Sequence, residues 1–384
     1  MMKRILIVNN NLAMGGVQKA LISLLWNIRS SCDVTLLLFH PEGELLDELP
    51  PEIKVIAPKS GYRFLGMPGA AAKTFGQKLG RSFYAAISRT VGRKTAVGLM
   101  GLGQKTLTGY DVAISYLHNG ADKAFYGGCN EFVLKHVQAR KKIAFLHCDY
   151  GLCGAQTPRN AAQYSKFDGI AACSQGCADA FVKATPHLAE KVSVVYNCHR
   201  IKQIRALSEE APVELSEKQL NIVTVARLGK EKGVERAVQA LAALGADRDR
   251  VHYYIIGDGI MRPEIEKLIE QENLKTHITL CGQMKNPYGY IRAADVLLIP
   301  SYSEAAPLVI GEAACLGTPV LSTETSSAKE LIADTGFGRV CENSVEGLTE
   351  GLRTLLLQPL QMDQAAQLTN DQALAQFHQC ITKQ

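Results

Sequence analysis

The chain has 384 residues, 47% of them hydrophobic, and a formal charge of +5. This is more chain than one hydrophobic core usually organises, so two domains are expected, and the modest charge comes with no recognised nucleic-acid motif, which sets nucleic acid aside as a partner. No run of eighteen or more apolar residues occurs and the start, Met1 to Asn10, passes straight into a strand-like pattern, so neither a membrane span nor a signal peptide is expected.

In chain order, the first half offers short apolar runs at Arg4 to Asn9, Val34 to Leu38, Val112 to Ser115, Lys142 to Leu146, Gly169 to Ala172 and Val192 to Tyr196. They alternate with stretches of helical period, the pattern of a parallel sheet covered by helices. Val17, Ala20, Leu21 and Leu24 follow i, i+3, i+4, i+7 spacing and form one apolar helix face. From Lys59 to Tyr110 nine basic residues and no acidic one are interleaved with apolar side chains. That segment reads equally as a peripheral contact with anionic lipid and as a solvated excursion with helical patches packing beside the domain.

The stretch 199–219 is polar and charged, contains Pro212, and reads as the interdomain connection. A second series of strands follows at Ile222 to Ala226, His252 to Ile256, Ile278 to Leu280, Val296 to Ile299 and Pro319 to Ser322, with Val234, Ala237, Val238 and Leu241 giving its first helix a buried stripe. The expected organisation is a first domain over 1–198, the connection 199–219, a second domain over 220–360 and a C-terminal helical segment over 361–384 packing back towards the first domain.

Eleven cysteines lie at irregular spacing, and Cys173, Cys281 and Cys315 stand inside apolar runs, as free thiols in a reducing cytosol do. The group His147, Cys148, Cys153, Cys173, Cys177, Cys198 and His199 has no C-x2-C pair, so no metal site is expected.

In doubly wound sheets ligands sit outside the carboxyl ends of the strands. One such loop is Pro300 to Ala314. Pro307 suits the first turn of a helix, whose free N–H groups would face an anionic diphosphate beside Glu304. Glu312 lies farther along that helix, so the two carboxylates suit opposite ends of one ligand, with sugar hydroxyls at one and ribose hydroxyls at the other. Strand Ile222 to Ala226 leads into Arg227 and Lys232-Gly233, cations suited to a diphosphate leaving group. Ile255-Ile256-Gly257-Asp258-Gly259 ends a third strand in glycines, and the sixth position counted from Gly257 is Arg262 rather than the last glycine of a dinucleotide fingerprint, which argues against a nicotinamide dehydrogenase. Asp247-Arg248-Asp249 precedes a strand and so belongs to the other end of the sheet.

Taken in order, Met14-Gly15-Gly16, Ser174, Tyr196-Asn197, Arg227 with Lys232-Gly233, Gly257-Asp258-Gly259, Gly282, Ala294-Asp295-Val296, Glu304 with Glu312, and Gly317-Thr318-Pro319-Val320 resemble the retaining glycosyltransferases of glycosyltransferase family four. The resemblance implies an α/β chain of GT-B fold, two doubly wound Rossmann-like domains facing each other across a cleft. It implies a cytoplasmic, metal-independent transfer, without cofactor, of a sugar from a nucleotide-diphosphate donor to a glycan or lipid-linked acceptor in cell-envelope polysaccharide biosynthesis. Arg227 and Lys232 would bind the donor diphosphate, Glu304 the transferred sugar and Glu312 the ribose. The backbone at Gly282 and Gln283 would hold the base, Gly15 and Gly16 the phosphates from the opposite domain, and His147 would face the sugar. Glu304, His147, Arg227 and Lys232 are the expected catalytic set, with Gly257, Ala305, Ala306, Pro307 and Leu308 lining the donor. Two departures stand out: Ala305-Ala306 replaces glycine and a bulky residue, and Gln18 stands where relatives often carry an acid. The alternatives are a catalytically idle nucleotide-sugar-binding assembly partner and a nucleotide-sugar epimerase or hydrolase on the same fold.

Overall fold

The computed structural model describes residues 2–67, 69–121, 125 and 127–383. They divide into two compact units, the first made of 1–198 with 370–384 and the second of 199–369.

The first unit holds seven parallel strands: β1 (Lys3–Asn9), β2 (Cys32–Leu38), β3 (Lys54–Ile56), β4 (Leu107–Ser115), β5 (Val137–Leu146), β6 (Gly169–Ala172) and β7 (Val192–Val194). Their order is β3-β2-β1-β4-β5-β6-β7. Ile5, Ile7, Leu36, Leu38, Ile114 and Ile143 are fully covered, because a parallel sheet is covered on both faces and its strands become continuous apolar runs. β3 was not anticipated, since three residues on a sheet edge bring no periodic signal. The helix Gly16–Ile28 buries Ala20, Leu21, Leu24 and Ile28 against this sheet.

The basic stretch 59–110 folds into helices Tyr62–Leu65, Phe75–Thr90 and Arg93–Met100. The second starts with a reciprocal cap, Gln77 N–H to Thr74 Oγ1 and the Thr74 N–H to Gln77 Oε1. Arg93 leaves the basic surface. It is buried, and its Nε meets Glu131 Oε1 at 3.4 Å while Arg159 Nη2 reaches the same oxygen at 3.2 Å. Phe75, Leu79 and Phe83 instead stand out into solvent, at 81%, 60% and 55% exposure.

The second unit is a six-stranded parallel sheet: β8 (Leu220–Val225), β9 (Val251–Ile256), β10 (Ile278–Gly282), β11 (Val296–Ile299), β12 (Val320–Thr323) and β13 (Gly338–Cys341), in the order β10-β9-β8-β11-β12-β13. β13 was also not anticipated, for Gly-Arg-Val-Cys carries little apolar pattern.

The expected connection 199–219 is corrected in part. It contains a helix, Ile201–Glu210, that belongs to the second unit, with Ile204 buried and Ile201 and Leu207 packed beside it. Three apolar residues at helical spacing suffice for a stripe even among charges. Of the last segment, Asp371–Thr382 is helical and joins the first unit's core through Ala373, Phe377, Cys380 and Ile381. Its last carbonyls are met by lysines: Lys3 Nζ donates to Ile381 O at 3.1 Å, and Lys141 Nζ donates to Cys380 O at 2.8 Å and to Lys383 O. Cations there satisfy orphan acceptors and complement the helix dipole.

Candidate functional site

In the second unit the strand order reverses between β8 and β11: the chain runs outward from β8 to β9 and β10, then returns to β11 on its other side. The loops leaving β8 and β11 therefore part at their carboxyl ends and leave a crevice, the usual ligand position of an open parallel sheet.

After β8, Arg227 and Leu228 lead into a tight turn, Lys230–Lys232, and Gly233 opens the helix Val234–Ala242. Gly233 has φ +58°, and a Cβ on it would lie 2.2 Å from Pro300 O, so only glycine lets this turn lie against the end of β11. The neighbouring strand end interlocks in the same way. Gly257 has φ +142°, and a Cβ there would sit 1.8 Å from Ala226 O. The glycine at 257 thus serves the fit of one loop on another, beyond the ligand approach expected of it.

Lys232 Nζ donates to Glu304 Oε1 at 2.7 Å, and Ser301 Oγ donates to the same oxygen at 2.7 Å. Glu304 is 9% exposed. Arg227 is 76% exposed at its side chain and donates to Glu231 Oε1 at 2.7 Å, which leaves it free to turn towards an incoming anion. Glu231, with a pKa held below the ordinary carboxylate range against the cost of its burial by its own backbone N–H and then by Arg227, remains charged in that contact. The structure thus joins Lys232 to Glu304 directly and leaves Arg227 one carboxylate away.

The helix expected at Pro307 begins at Leu308, with Pro307 as the extended residue before it (ψ 122°). This is a shift of one position from the first turn. Proline's fixed φ serves both places, and its ψ decides between them. Ala305 and Ala306 lead into that helix, half-buried. Glu312 lies within it, buried, and accepts a hydrogen bond from Tyr288 OH at 3.2 Å. Gly282, at φ +73°, accepts Gly257 N–H through its carbonyl at 2.8 Å, and Gln283 beside it is exposed. Asp249 accepts from His277 Nε2 at 2.9 Å in the turn before β9, at the amino end of the strands.

The remaining candidates belong to the first unit, whose order reverses between β1 and β4. Gly15 and Gly16 follow β1 at the start of helix Gly16–Ile28, whose first N–H groups have no side-chain cap, and nothing lies within 4 Å of a Cβ built on Gly16. His147 follows β5. Its ring packs 4.6 Å from Tyr116 and 5.8 Å from Phe145, and its Nε2 is buried with no hydrogen-bond partner among the described residues. Burial, and then neighbouring His118, lower its pKa to about 3, so the imidazole is neutral near pH 7. Among the described residues no group of three or more His, Cys, Asp or Glu is placed to hold a metal ion.

Residues 208–372 match the family described as glycosyl transferases group 1. The chain is 29% identical over 195 residues to the N-acetylgalactosamine-N,N'-diacetylbacillosaminyl-diphospho-undecaprenol 4-alpha-N-acetylgalactosaminyltransferase of Campylobacter jejuni, covering 50% of this chain and 52% of that protein. It is 36% identical over 135 residues to the lipopolysaccharide glucosyltransferase WaaG of Escherichia coli K12, covering 34% and 36%. It thus spans about half or less of the curated relatives it matches. Over 99% of its length it superposes on 93% of Anabaena HepE in complex with UDP, with a TM-score of 0.61 at 17% identity. The fold is GT-B.

In this GT-B chain the residues that hold the loop after β11 were not foreseen. Arg236 is buried, donates to Pro300 O at 2.5 Å and to Asn343 Oδ1 at 2.8 Å, and lies 3.7 Å from the Tyr302 ring centre. Asn343 Nδ2 donates to Tyr302 O at 3.1 Å, and Ser326 Oγ to Glu304 O at 2.9 Å. No periodic signal marks it: Arg236 is buried in the first turn of its helix, yet it lies round the helix from the stripe of Val234, Ala237, Val238 and Leu241.

Proposed function

We propose that this chain is a retaining glycosyltransferase of family-four type. It moves a sugar from a nucleoside-diphosphate donor to a glycan or lipid-linked acceptor in envelope polysaccharide assembly. The carrying observation is the 2.7 Å pairing of Lys232 with Glu304 at the point where the second sheet reverses, inside the residues that match glycosyl transferases group 1. An ammonium and a carboxylate held together there suit the two halves of an activated sugar, phosphates and hydroxyls. The HepE neighbour solved with UDP and the diphospho-undecaprenol in the name of the Campylobacter relative support this substrate class.

In this reading the nucleoside diphosphate departs on the face that the acceptor enters. Lys232, Arg227 swung away from Glu231, and the start of helix Leu308–Leu316 meet the developing charge, so the reaction needs no metal ion. Glu304 holds the sugar, Glu312 with Tyr288 the ribose, the backbone at Gly282 and Gln283 the base, and Gly15 and Gly16 the phosphates. A neutral His147 offers the sugar a hydrogen bond rather than a charge. The test is a screen of nucleoside-diphosphate sugars with lipid-diphosphate and oligosaccharide acceptors in the presence of EDTA. Product of retained anomeric configuration is expected, and donor hydrolysis or epimerisation without transfer would refute the proposal.

No helix among the described residues is long and apolar enough to cross a membrane. The proposed place of action is the cytoplasmic face of the cell membrane, reached through helix Phe75–Thr90. Phe75, Leu79 and Phe83 form an exposed apolar row at i, i+4, i+8, with exposed Lys78 and Arg89 beside it. Co-sedimentation with phosphatidylglycerol vesicles at low salt, lost in Phe75→Ser/Phe83→Ser, is the expected result. Equal sedimentation of both proteins would remove this contact.

A further inference from the structure

After β5 the chain folds back at once. Asp149 O accepts the Leu152 and Cys153 N–H groups at 3.1 and 3.0 Å, and Asp149 Oδ1 accepts Gly151 N–H at 3.0 Å. The turn brings Cys148 Sγ and Cys153 Sγ to 3.0 Å, about 1 Å beyond a disulfide bond length. The exposures are asymmetric, with Cys148 half-buried and Cys153 exposed. Cys177, on the adjoining helix Gln175–Ala184, donates through Sγ to Cys148 O at 3.3 Å and so fixes the backbone of the inner cysteine. The other close sulfur pair, Cys173 and Cys177 at 3.8 Å, is wholly buried, out of an oxidant's reach. Among the described residues these sulfurs are not part of a group of three or more side chains placed to hold a metal ion.

We propose that Cys148 and Cys153 are an oxidation site, which a peroxide converts to a reversible intrachain disulfide that moves the turn beside His147. The outer thiol is suited to attack first: a hydrogen bond from Cys148 holds Cys153 below the ordinary thiol range and raises its partner. The Cys153 thiolate attacks one oxygen of hydrogen peroxide, the O–O bond breaks, and the displaced hydroxide takes a proton to leave as water, giving a sulfenic acid. Cys148 sulfur then attacks the Cys153 sulfur, the S–O bond breaks, and the departing hydroxide carries off the Cys148 proton as a second water. Two thiols are oxidised by two electrons and one peroxide is reduced. A dithiol reductant reverses the change by exchange.

Closing the bond draws the turn in by about 1 Å, next to an imidazole whose Nε2 has no partner among the described residues. A displacement of that size beside a reacting group lowers turnover by roughly tenfold to a hundredfold. This consequence rests on the transferase reading, whereas the disulfide itself does not.

Trypsin cleavage after Lys142 and Arg159 releases Ile143 to Arg159, which carries both cysteines and no other. The native chain is treated with hydrogen peroxide, its remaining thiols are alkylated, and the digest is analysed by mass spectrometry. The expected peptide is two hydrogens lighter and unalkylated, and dithiothreitol before alkylation restores two labels. In Cys148→Ser, Cys153 is expected to accumulate as a sulfenic acid trapped by dimedone. Both cysteines still alkylated after peroxide has oxidised other thiols, or Cys153 crosslinked between chains, would overturn the site. Full turnover by the verified disulfide form would overturn its control of His147. If no transferase activity exists, the peptide result still decides the oxidation site.

Discussion

Replacing Lys232 by Met removes the ammonium from Glu304 and keeps much of the side chain's apolar bulk. Among the described residues Glu304 Oε1 accepts from two donors, Lys232 Nζ and Ser301 Oγ, both at 2.7 Å, so there its charge is left with one neutral hydroxyl. Breaking a fully buried ion pair costs about 3–5 kcal/mol, and losing an exposed one under about 1 kcal/mol. With side-chain exposures of 23% for Lys232 and 9% for Glu304, the expected loss is about 1.5–3 kcal/mol. That lowers the melting temperature of the second unit by about 3–12 °C at about 2–4 °C per kcal/mol. Glu304→Gln keeps the Ser301 contact and costs about 1 kcal/mol, and the double variant should fall short of the sum by about 1–2 kcal/mol. Calorimetry is the proper readout, because the one tryptophan, Trp26, belongs to the first unit. Titration with UDP as first probe should show Lys232→Met weakened about tenfold, the value of one charge-assisted phosphate contact less the Glu304 contact surrendered to form it. Additive stabilities together with unchanged UDP affinity would refute both the pairing and the phosphate role.

Glu231 competes with a ligand for Arg227, so Glu231→Gln should tighten UDP binding about twofold to fivefold, as the loss of an exposed ion pair permits, while Arg227→Ala weakens it; isothermal titration checks both signs. Burial lowers the pKa of His118 and His199 to about 4 and of His147 to about 3. The unfolded chain, with histidines near 6.5, therefore binds more protons between about pH 6.5 and 4, and stability is lost as pH falls through that window, by at most about 1.4 kcal/mol per pH unit for each histidine. The urea midpoint of Trp26 fluorescence should drop between pH 7 and pH 5, and an unchanged midpoint would contradict neutral burial in the first unit. Glu131→Ala should destabilise that unit by about 3–5 kcal/mol, since it removes the buried carboxylate that Arg93 and Arg159 share; retention of the wild-type Trp26 transition would show that this pairing contributes little.

The legible parts of the fold were those with a strong period or a fully covered strand. β1 is a nearly unbroken apolar run between polar ends, β8 holds the apolar core Ile222-Val223 and Val225, and the helix after each carries its stripe at i, i+3, i+4, i+7. The edge strands β3 and β13 are short and carry no such pattern. In 59–110 the basic composition concealed helix Phe75–Thr90, whose apolar residues face outward as well as inward, so no single stripe marks it. At the candidate site the loops could be placed from the rule that ligands meet strand ends, yet contacts such as Arg236 with Pro300 and Lys232 with Glu304 join residues 64 and 72 positions apart. Spacing along the chain carries no record of such pairs. The cysteine turn is hidden likewise, because Cys148 and Cys153 read as two thiols among eleven until backbone hydrogen bonds fold the segment between them.

The helix Asp371–Thr382 fills the core of the first unit but is synthesised only after every residue of the second. On the ribosome, therefore, the unit that begins first finishes last: Phe377 has no counterpart earlier in the chain to hold its place, and the open face waits, apolar, while the later unit emerges and folds. A fragment ending near residue 198 should be sticky and unstable for that reason. Joined to 370–384 through a short linker it should fold by itself, which makes the first unit a natural candidate for expression with its final segment grafted on.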